Sequence, residues 1–403
     1  MRRLRTASAR RLTVILAAVA ALALTAGIAQ GALTGSAPTP SPKALADAIL
    51  DAFNAPEPDG VTAKVHFTNN LLPSGSLPNG AASPLVSGAD GRLWIQKSGD
   101  FRIELQSEIG DAQIISRGDE VTVYEASSNT VYRATLPAGA KDGAKPGERA
   151  QGKLTLEKIQ KALDQLAQTW TISGAQPTST AGQPTYTVKV SPKDDGGLLG
   201  AAELAWDAVR GAPLRAAVYA QGQSDPVLEL EATDVSYDAV PDSDLSIDPP
   251  AGANVVDLSP SDVDQRARKG ARRTRRAHVQ GSAAVQRELD FDLAAPAELA
   301  GLPRRDVRLV TVGDERGALA IYGRGLGAIG VLQRKATTAD PGNAEAPARG
   351  ALTLPKINID GATGSELATA LGTVVTFERS CVAFIVAGSV PPVAAENAAR
   401  GLR

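Results

Sequence analysis

Side chains that could act as nucleophiles or proton carriers are scarce in this sequence. Its 403 residues include two histidines, His66 and His278, and one cysteine, Cys381. His66 occupies a polar position of an alternating strand and His278 ends a basic run, so both are interpreted as solvent-side residues. No Gly-x-Ser-x-Gly elbow is present, and a lone cysteine forms neither a disulfide framework nor a cysteine-rich metal site. The sequence therefore predicts no enzyme, no catalytic residues and no metal.

Two short motifs resemble ligand-binding loops but are incomplete. Residues 323–330 are glycine-rich, yet their spacing is not the dinucleotide fingerprint, and the following helix and acidic residue are missing. Residues 194–196, Asp-Asp-Gly, lack the alternating oxygen ligands and distal glutamate of a calcium loop. Both motifs are interpreted as turns or as a bent strand, so no cofactor is predicted.

The most informative pattern lies between residues 61 and 255, where apolar and polar residues alternate with period two in strand after strand. This alternation is typical of antiparallel strands that have one dry face and one wet face. An apolar face of this extent is larger than soluble proteins usually leave exposed. The residues predicted to line it are Val65, Phe67, Leu93, Ile95, Phe101, Ile103, Leu105, Val121, Val123, Trp206 and Val218.

Two amphipathic helices are predicted beside these strands, at 42–53 and 154–167. Ser41 is the expected N-cap of the first helix, with Pro42 at its first position, and Leu45, Ile49 and Phe53 form its apolar stripe.

The dry face has two interpretations. If the two helices fill it, it is an ordinary core. If they leave part of it open, an apolar concavity remains that is suited to acyl chains. In the second case the long loop at 69–87 is a candidate lid.

The N-terminus has the composition of an export segment. Five arginines precede an uncharged apolar run at 12–29. The run is also long enough to span a bilayer if it is not cut, so a cleaved signal peptide and an N-terminal membrane anchor both remain open. In either case the remainder is expected outside the cytoplasm.

A basic run separates two predicted domains. Seven arginines and lysines fall between residues 266 and 276, and this run is interpreted either as a solvated linker or as a contact with anionic lipid. Without the five N-terminal arginines the net charge of −2 becomes −7, and only 4% of residues are aromatic, which argues against nucleic acid as a partner. The predicted divisions are 1–30 (signal peptide or anchor), 43–256 (sheet domain), 257–287 (basic linker) and 288–403 (a small α+β domain).

The second domain is predicted from less regular patterns. The expected elements are a short helix at 296–300, strands at 307–312, 318–323, 327–334, 356–360 and 382–387, a segment at 363–377 that begins as helix, and a final helix from Pro391.

Residues 204–253 carry a resemblance to a known family. They contain the hairpin pattern Asp-x-x-x-Gly-x-Pro-Leu-Arg, from Asp207 to Arg215, and end in Pro-Pro-Ala-Gly-Ala. Over about residues 43–256 the chain resembles the LolA-like and RseB (MucB)-like extracytoplasmic lipoprotein-carrier superfamily, and its Ala- and Gly-rich composition is similar to that of actinobacterial members. The resemblance implies an α+β fold: an incomplete antiparallel β-barrel wrapped around helices, here with an extra small C-terminal α+β domain.

The dry face and the resemblance together predict an extracytoplasmic protein that binds lipid or lipoprotein acyl chains in an apolar cavity between sheet and helices. It is expected to be anchored in the cell membrane by its N-terminal helix or secreted. The alternative is an RseB/MucB-like envelope-stress regulator, or interaction module, that binds a membrane protein partner.

Overall fold

The computed structural model describes residues 38–72, 83–108, 110–135, 154–194, 196–246, 250–257, 279–312, 315–336 and 354–403. The predicted export segment, the basic run and most of the candidate lid lie outside these residues. Within the described ranges, no helix has the length and apolar character needed to cross a bilayer.

The larger sheet contains thirteen strands among the described residues. They are β1 (Gly60–Asn69), β2 (Ala89–Gln96), β3 (Phe101–Ser107), β4 (Gly110–Arg117), β5 (Glu120–Glu125), β6 (Thr130–Thr135), β7 (Trp170–Ile172), β8 (Gln176–Thr180), β9 (Gln183–Pro192), β10 (Leu199–Asp207), β11 (Pro213–Ala220), β12 (Leu228–Ser236) and β13 (Asn254–Asp257). The order is β13-β6-β5-β4-β3-β2-β1-β12-β11-β10-β9-β7, with β8 also paired to β9. All pairs are antiparallel except β13–β6. The sheet curls into an open half-barrel.

The helices beside this sheet are short: α1 (Leu45–Asn54), α2 (Pro84–Ser87) and α3 (Leu156–Leu166). The predicted start of α1 at Pro42 with Ser41 as N-cap is wrong, since the N-cap is Ala44 and no side chain caps the helix. The residues before it are held extended against the sheet. The Ser41 carbonyl accepts a 2.7 Å hydrogen bond from the Tyr186 hydroxyl, and Lys43 bridges to Ala175.

The chain reaches β13 by crossing the outer, polar face of the sheet. A 3-10 turn at Asp242–Leu245 lies over β3 on this route, and Leu245 is 1% exposed. Gln96 Nε2 donates to the Val240 carbonyl at 3.0 Å, and Arg102 Nη1 donates to the Asp244 carbonyl at 3.3 Å. The crossing segment therefore covers the wet side of β2–β4 and leaves the apolar side to other elements.

The second sheet follows after residue 278 and is antiparallel throughout. Its strands are β14 (Glu298–Leu299), β15 (Leu302–Val312), β16 (Glu315–Tyr322), β17 (Ile329–Lys335), β18 (Lys356–Ile359), β19 (Ala362–Thr369), β20 (Gly372–Arg379) and β21 (Val382–Gly388), in the order β14-β15-β16-β17-β21-β20-β19-β18. The helices α4 (Ser282–Gln286) and α5 (Pro392–Arg400) pack against it.

Two sequence predictions for this sheet are wrong. The expected helix at 296–300 is a turn that contains β14, and the expected helical start at 363 is the hairpin of β19 and β20. Residues such as Glu366 and Ala368 favour helix locally, but pairing of β19 with β18 and β20 outweighs this weak preference.

A buried glutamine organises the core of the second sheet. Gln333 has 0% exposure. Its Nε2 donates to the Ala294 carbonyl at 2.8 Å and its Oε1 accepts from the Ala294 amide at 2.9 Å. The side chain thus supplies both hydrogen bonds of a backbone segment that no strand pairs with, and fixes this segment on the sheet.

Replacing Gln333 with Leu leaves the Ala294 amide and carbonyl buried without partners. We expect Gln333→Leu to lower the free energy of unfolding by about 2–4 kcal/mol, measured by urea denaturation. Gln165→Leu, at an exposed position of α3, is the matched control and should change it little. Equal stabilities of the two variants would contradict this role.

Candidate lipid-binding face

Strand register places the predicted apolar residues on one side of the larger sheet. Residues directly opposite each other in antiparallel strands share a face. Leu93 lies opposite Ile103, Ile103 opposite Ile114, and Ile114 opposite Val123. The same face continues through β1, where Ala63 lies opposite Leu93. It forms the inner face, and it runs through the central strands without a change of side.

The eleven residues predicted to line this face divide into two groups by burial. Five are buried in the protein's own core, at 2–6% exposure: Val65, Leu93, Ile103, Leu105 and Trp206. Six are only partly buried: Phe67, Ile95, Phe101, Val121, Val123 and Val218. The first group packs within the protein in this structure, so a ligand placed on the face would contact the second group.

Cover over the inner face is uneven. At β9 and β10, α1 packs through Ala48 and Leu45 against Tyr186 and Trp206. At β1–β4 the described cover consists of Leu85 from α2 and of the β8–β9 turn at residue 181. The longer α3 contacts α1 and buries only Ile159 fully.

The less covered part of the inner face consists of partly buried apolar side chains. We define the open inner face as Phe67, Ile95, Phe101, Ile114, Val121 and Val123, all partly buried and all on the side established by the register. These six side chains are apolar, so they offer dispersion contacts and exclusion of water rather than bond chemistry. At the end of β5 the register also places Glu125 on this side of the sheet, opposite Ala112. Within the described residues no group of three or more histidine, cysteine, aspartate or glutamate side chains is arranged to hold a metal ion.

Ile114 was missed by the sequence-based list. It is followed by Ile115, so alternation alone does not tell which isoleucine faces inward. The register decides, because Ile114 pairs with Ile103 and Val123. Ile115 points to the outer face, opposite Arg102, where it is buried to 7% exposure.

The β10–β11 turn joins this face to the end of the sheet. Asp207 is fully buried and accepts hydrogen bonds from the amides of Val209 and Arg210 and from the Tyr237 hydroxyl, at 2.7, 2.9 and 2.6 Å. Burial, followed by this bond to Asp207, raises the pKa of Tyr237 above its usual value. Gly211 has φ +70°, and a Cβ there would lie 2.4 Å from the Ala52 carbonyl oxygen, so glycine lets α1 approach the turn.

A cleft of about 680 Å³ opens beside this turn, at the ends of the central strands β10–β12. Its walls are the α1–β1 loop at 56–59, the β10–β11 turn and the end of β12 at 235–238. Gly60 fixes the loop against β12, because a Cβ there would lie 2.6 Å from the Asp238 carbonyl oxygen. Gln183, at the start of β9, completes the lining. The sequence gives no sign of this cleft, since its walls come from four distant segments.

A polar network lies on the opposite, outer face of β10–β12. Arg215 is 2.8 Å from Glu203 and 2.6 Å from Glu229, and its Nε is 3.4 Å from Glu231. The four side chains are each only 12–18% exposed. Burial raises the pKa of Glu231 to about 8, with Arg215 opposing the rise and Glu229 adding to it.

The raised pKa of Glu231 makes stability depend on pH. The folded protein holds a proton on this carboxyl between about pH 4.5 and 8, where the unfolded chain releases it, so the free energy of unfolding falls as pH rises through this window. We expect Glu231→Gln to reduce this fall, measured by urea denaturation at several pH values. Glu120→Gln, at an exposed position, should keep the wild-type slope. A wild-type slope in Glu231→Gln would show that Glu231 is not the responsible group.

Comparisons with known proteins find structural likeness without sequence matches. No protein-family profile and no curated protein matches the sequence. MucB in complex with MucA(peri) is similar at 15% identity over 89% of this chain and 96% of that chain, with a TM-score of 0.37. The Pseudomonas aeruginosa MucA/MucB complex is similar at 16% identity over 88% and 94%, with a TM-score of 0.39. A LolA superfamily protein from Nitrosomonas europaea is similar at 12% identity over 51% and 98%, with a TM-score of 0.21. MucB-like and LolA-superfamily structures are thus among those that this chain resembles, as predicted from residues 204–253.

Proposed function

We propose that this protein binds acyl chains of a lipid or lipoprotein on the open inner face of its larger sheet. An acyl chain leaves water and packs against Phe101, Val121 and Val123, with no bond made or broken. Each buried methylene contributes about 0.8 kcal/mol, so a chain of ordinary length gains enough free energy to remain bound through dispersion and hydrophobic contact alone.

The observation that supports this most is the mismatch between the sheet and its described cover. Strands lie about 4.8 Å apart, whereas the ten residues of α1 extend about 15 Å. Even lying across the strands, α1 covers about three of them, and α2 has four residues. The eleven residues of α3 contact α1 and bury only Ile159 fully. On the inner faces of β3–β5, the apolar side chains of Phe101, Ile114, Val121 and Val123 remain partly exposed.

The setting of this activity is part of the proposal. Export through the segment at 1–30, whether it is cleaved or kept as a membrane anchor, would place the sheet outside the cytoplasm beside its ligands. The same proposal includes the domain divisions at 43–256, 257–287 and 288–403, and a larger sheet that wraps around its helices.

Two sets of hydrogen bonds support a fixed contact between the two sheets. The Leu198 amide donates to Ser389 at 2.9 and 3.0 Å, and the Ala370 amide donates to the Leu71 carbonyl at 2.7 Å.

A co-purified ligand is the first test of the proposal. Residues 35–403, purified without detergent from a native-like host, should carry a discrete lipid near one equivalent, detected by mass spectrometry of an organic extract beside a delipidated control. A protein that is folded by circular dichroism, carries no lipid and takes up none from vesicles would contradict the proposal.

A charge on the open inner face should prevent binding. We expect Val123→Asp to weaken uptake of a fluorescent fatty acid by at least about tenfold, because an acyl chain cannot solvate a carboxylate. Thr122→Asp places the same charge on the outer face one residue away and should bind like the wild type. Ile103 is unsuitable for this test because at 4% exposure an aspartate there would disrupt the core. Equal uptake by folded Val123→Asp and Thr122→Asp would place the ligand elsewhere.

A second candidate function is an interaction module for a membrane protein partner. The feature that favours it is the cleft at 56–59 and 235–238, which is open, lies at the ends of central strands and has exposed Val209 in its wall. This surface is separate from the open inner face, so the two functions are compatible in one molecule.

A further inference from the structure

We infer that the cleft beside the β10–β11 turn is a docking site for a basic, partly apolar peptide segment of a partner protein. This inference rests on the second candidate function and specifies the chemical character of the partner segment that would bind. It does not depend on lipid binding, because none of the residues that line the cleft belongs to the open inner face.

The charges around the cleft select a cationic occupant. Glu57, Asp59 and Asp238 are exposed in its wall. The single cation of the wall, Arg210, is already engaged: its guanidinium lies 4.3 Å from the centre of the Tyr237 ring and 3.7 Å from the Asp207 carboxylate. Lys97 offsets Asp59 at 3.3 Å from outside the wall. Glu57 and Asp238 are left to attract lysine or arginine side chains.

The apolar part of the wall selects a peptide rather than a simple cation. Val209 is 62% exposed, and Pro56, Pro58 and Val235 lie in the same lining. Phe53, 54% exposed at the end of α1, stands three residues before Pro56. Large apolar side chains exposed beside prolines and carboxylates are what an alternating basic and apolar segment would bury. A bilayer with anionic headgroups is disfavoured by the same carboxylates.

The walls are held in place before any partner arrives. Asp207 fixes the β10–β11 turn through three hydrogen bonds, and the close contact of Gly60 with Asp238 fixes the loop at 56–59. A preformed cleft loses little conformational entropy on binding, which favours affinity for a short segment.

The test uses a fluorescein-labelled peptide of alternating lysine and leucine, titrated with the purified exported chain and followed by anisotropy. The wild type should bind it, and added salt should weaken the binding. Peptides of alternating glutamate and leucine, or lysine and serine, should bind at least about tenfold more weakly. Equal binding of all three peptides would overturn the inference.

Paired substitutions locate the site. We expect Glu57→Lys with Asp238→Lys to weaken binding of the lysine–leucine peptide by at least about tenfold, and Val209→Ser to weaken it without changing the salt dependence. The control is Asp164→Lys with Asp225→Lys, two exposed carboxylates outside the cleft wall, which makes the same change in net charge and should bind like the wild type.

Parallel measurements separate this inference from the other surfaces. Fatty-acid uptake should be unchanged in Glu57→Lys with Asp238→Lys, so failure of lipid binding and failure of peptide binding are distinguishable. Equal peptide affinity in the cleft pair and the control pair would overturn the inference. So would Val209-dependent dimerisation in sedimentation, which would make a second copy of the chain the occupant, or Val209-dependent binding to phosphatidylglycerol vesicles.

Discussion

The inner and outer faces of β1–β5 stay separate because the register of these strands is kept from each one to the next. In an antiparallel sheet a slip of one residue moves every side chain of a strand to the opposite face. Here the pairs from Ala63–Leu93 through Ile103–Ile114 to Val123 keep apolar side chains on one side of five strands. The core, the open inner face and the polar outer network all depend on this alignment.

An apolar face of a sheet must be shielded from water by other elements, and in this protein the shielding is uneven along the sheet. α1 closes the inner face where Trp206 and Tyr186 lie, and Leu85 with the β8–β9 turn closes the centre. Toward β5 the described elements cover less of the inner face, and Val121 and Val123 stay partly exposed. An apolar ligand on these strands would complete cover that the chain leaves incomplete, which is the physical basis of the proposed lipid binding.

On the outer face, most of the partly buried polar groups described here have hydrogen-bond or ionic partners, although Arg102 Nε is buried without one. Arg215 lies within 3.4 Å of three glutamates, and the Asp207 carboxylate accepts hydrogen bonds from two amides and a hydroxyl. The 3-10 turn at Asp242–Leu245 covers β3 and receives the Arg102 guanidinium through a backbone carbonyl. The hydrogen bonds of Asp207 hold the β10–β11 turn and Tyr237 together in the wall of the cleft, while the rim of the cleft remains charged.

The sequence by itself predicted most residues of the apolar face, because period-two alternation is a local property that does not depend on strand order. The eleven residues predicted from alternation all lie in strands of the larger sheet. Ile114 was not predicted, because two adjacent isoleucines show no alternation. The short strands β7, β8 and β13 were also missed; each is five residues or fewer, too short for a pattern. Helix preference in residues 363–368 misled because strand pairing overrode it.

Only the tertiary structure decided how much of the face is covered and where the cleft lies. Ile103 and Val123 occupy equivalent positions in the alternating pattern. Ile103 is buried and Val123 is partly exposed because different elements pack above them. The cleft depends on the approach of 56–59, 209–210 and 235–238, segments up to about 180 positions apart in the chain. Their approach is set by the β1–β12 pairing and by the Asp207–Tyr237 hydrogen bond, which no local pattern encodes.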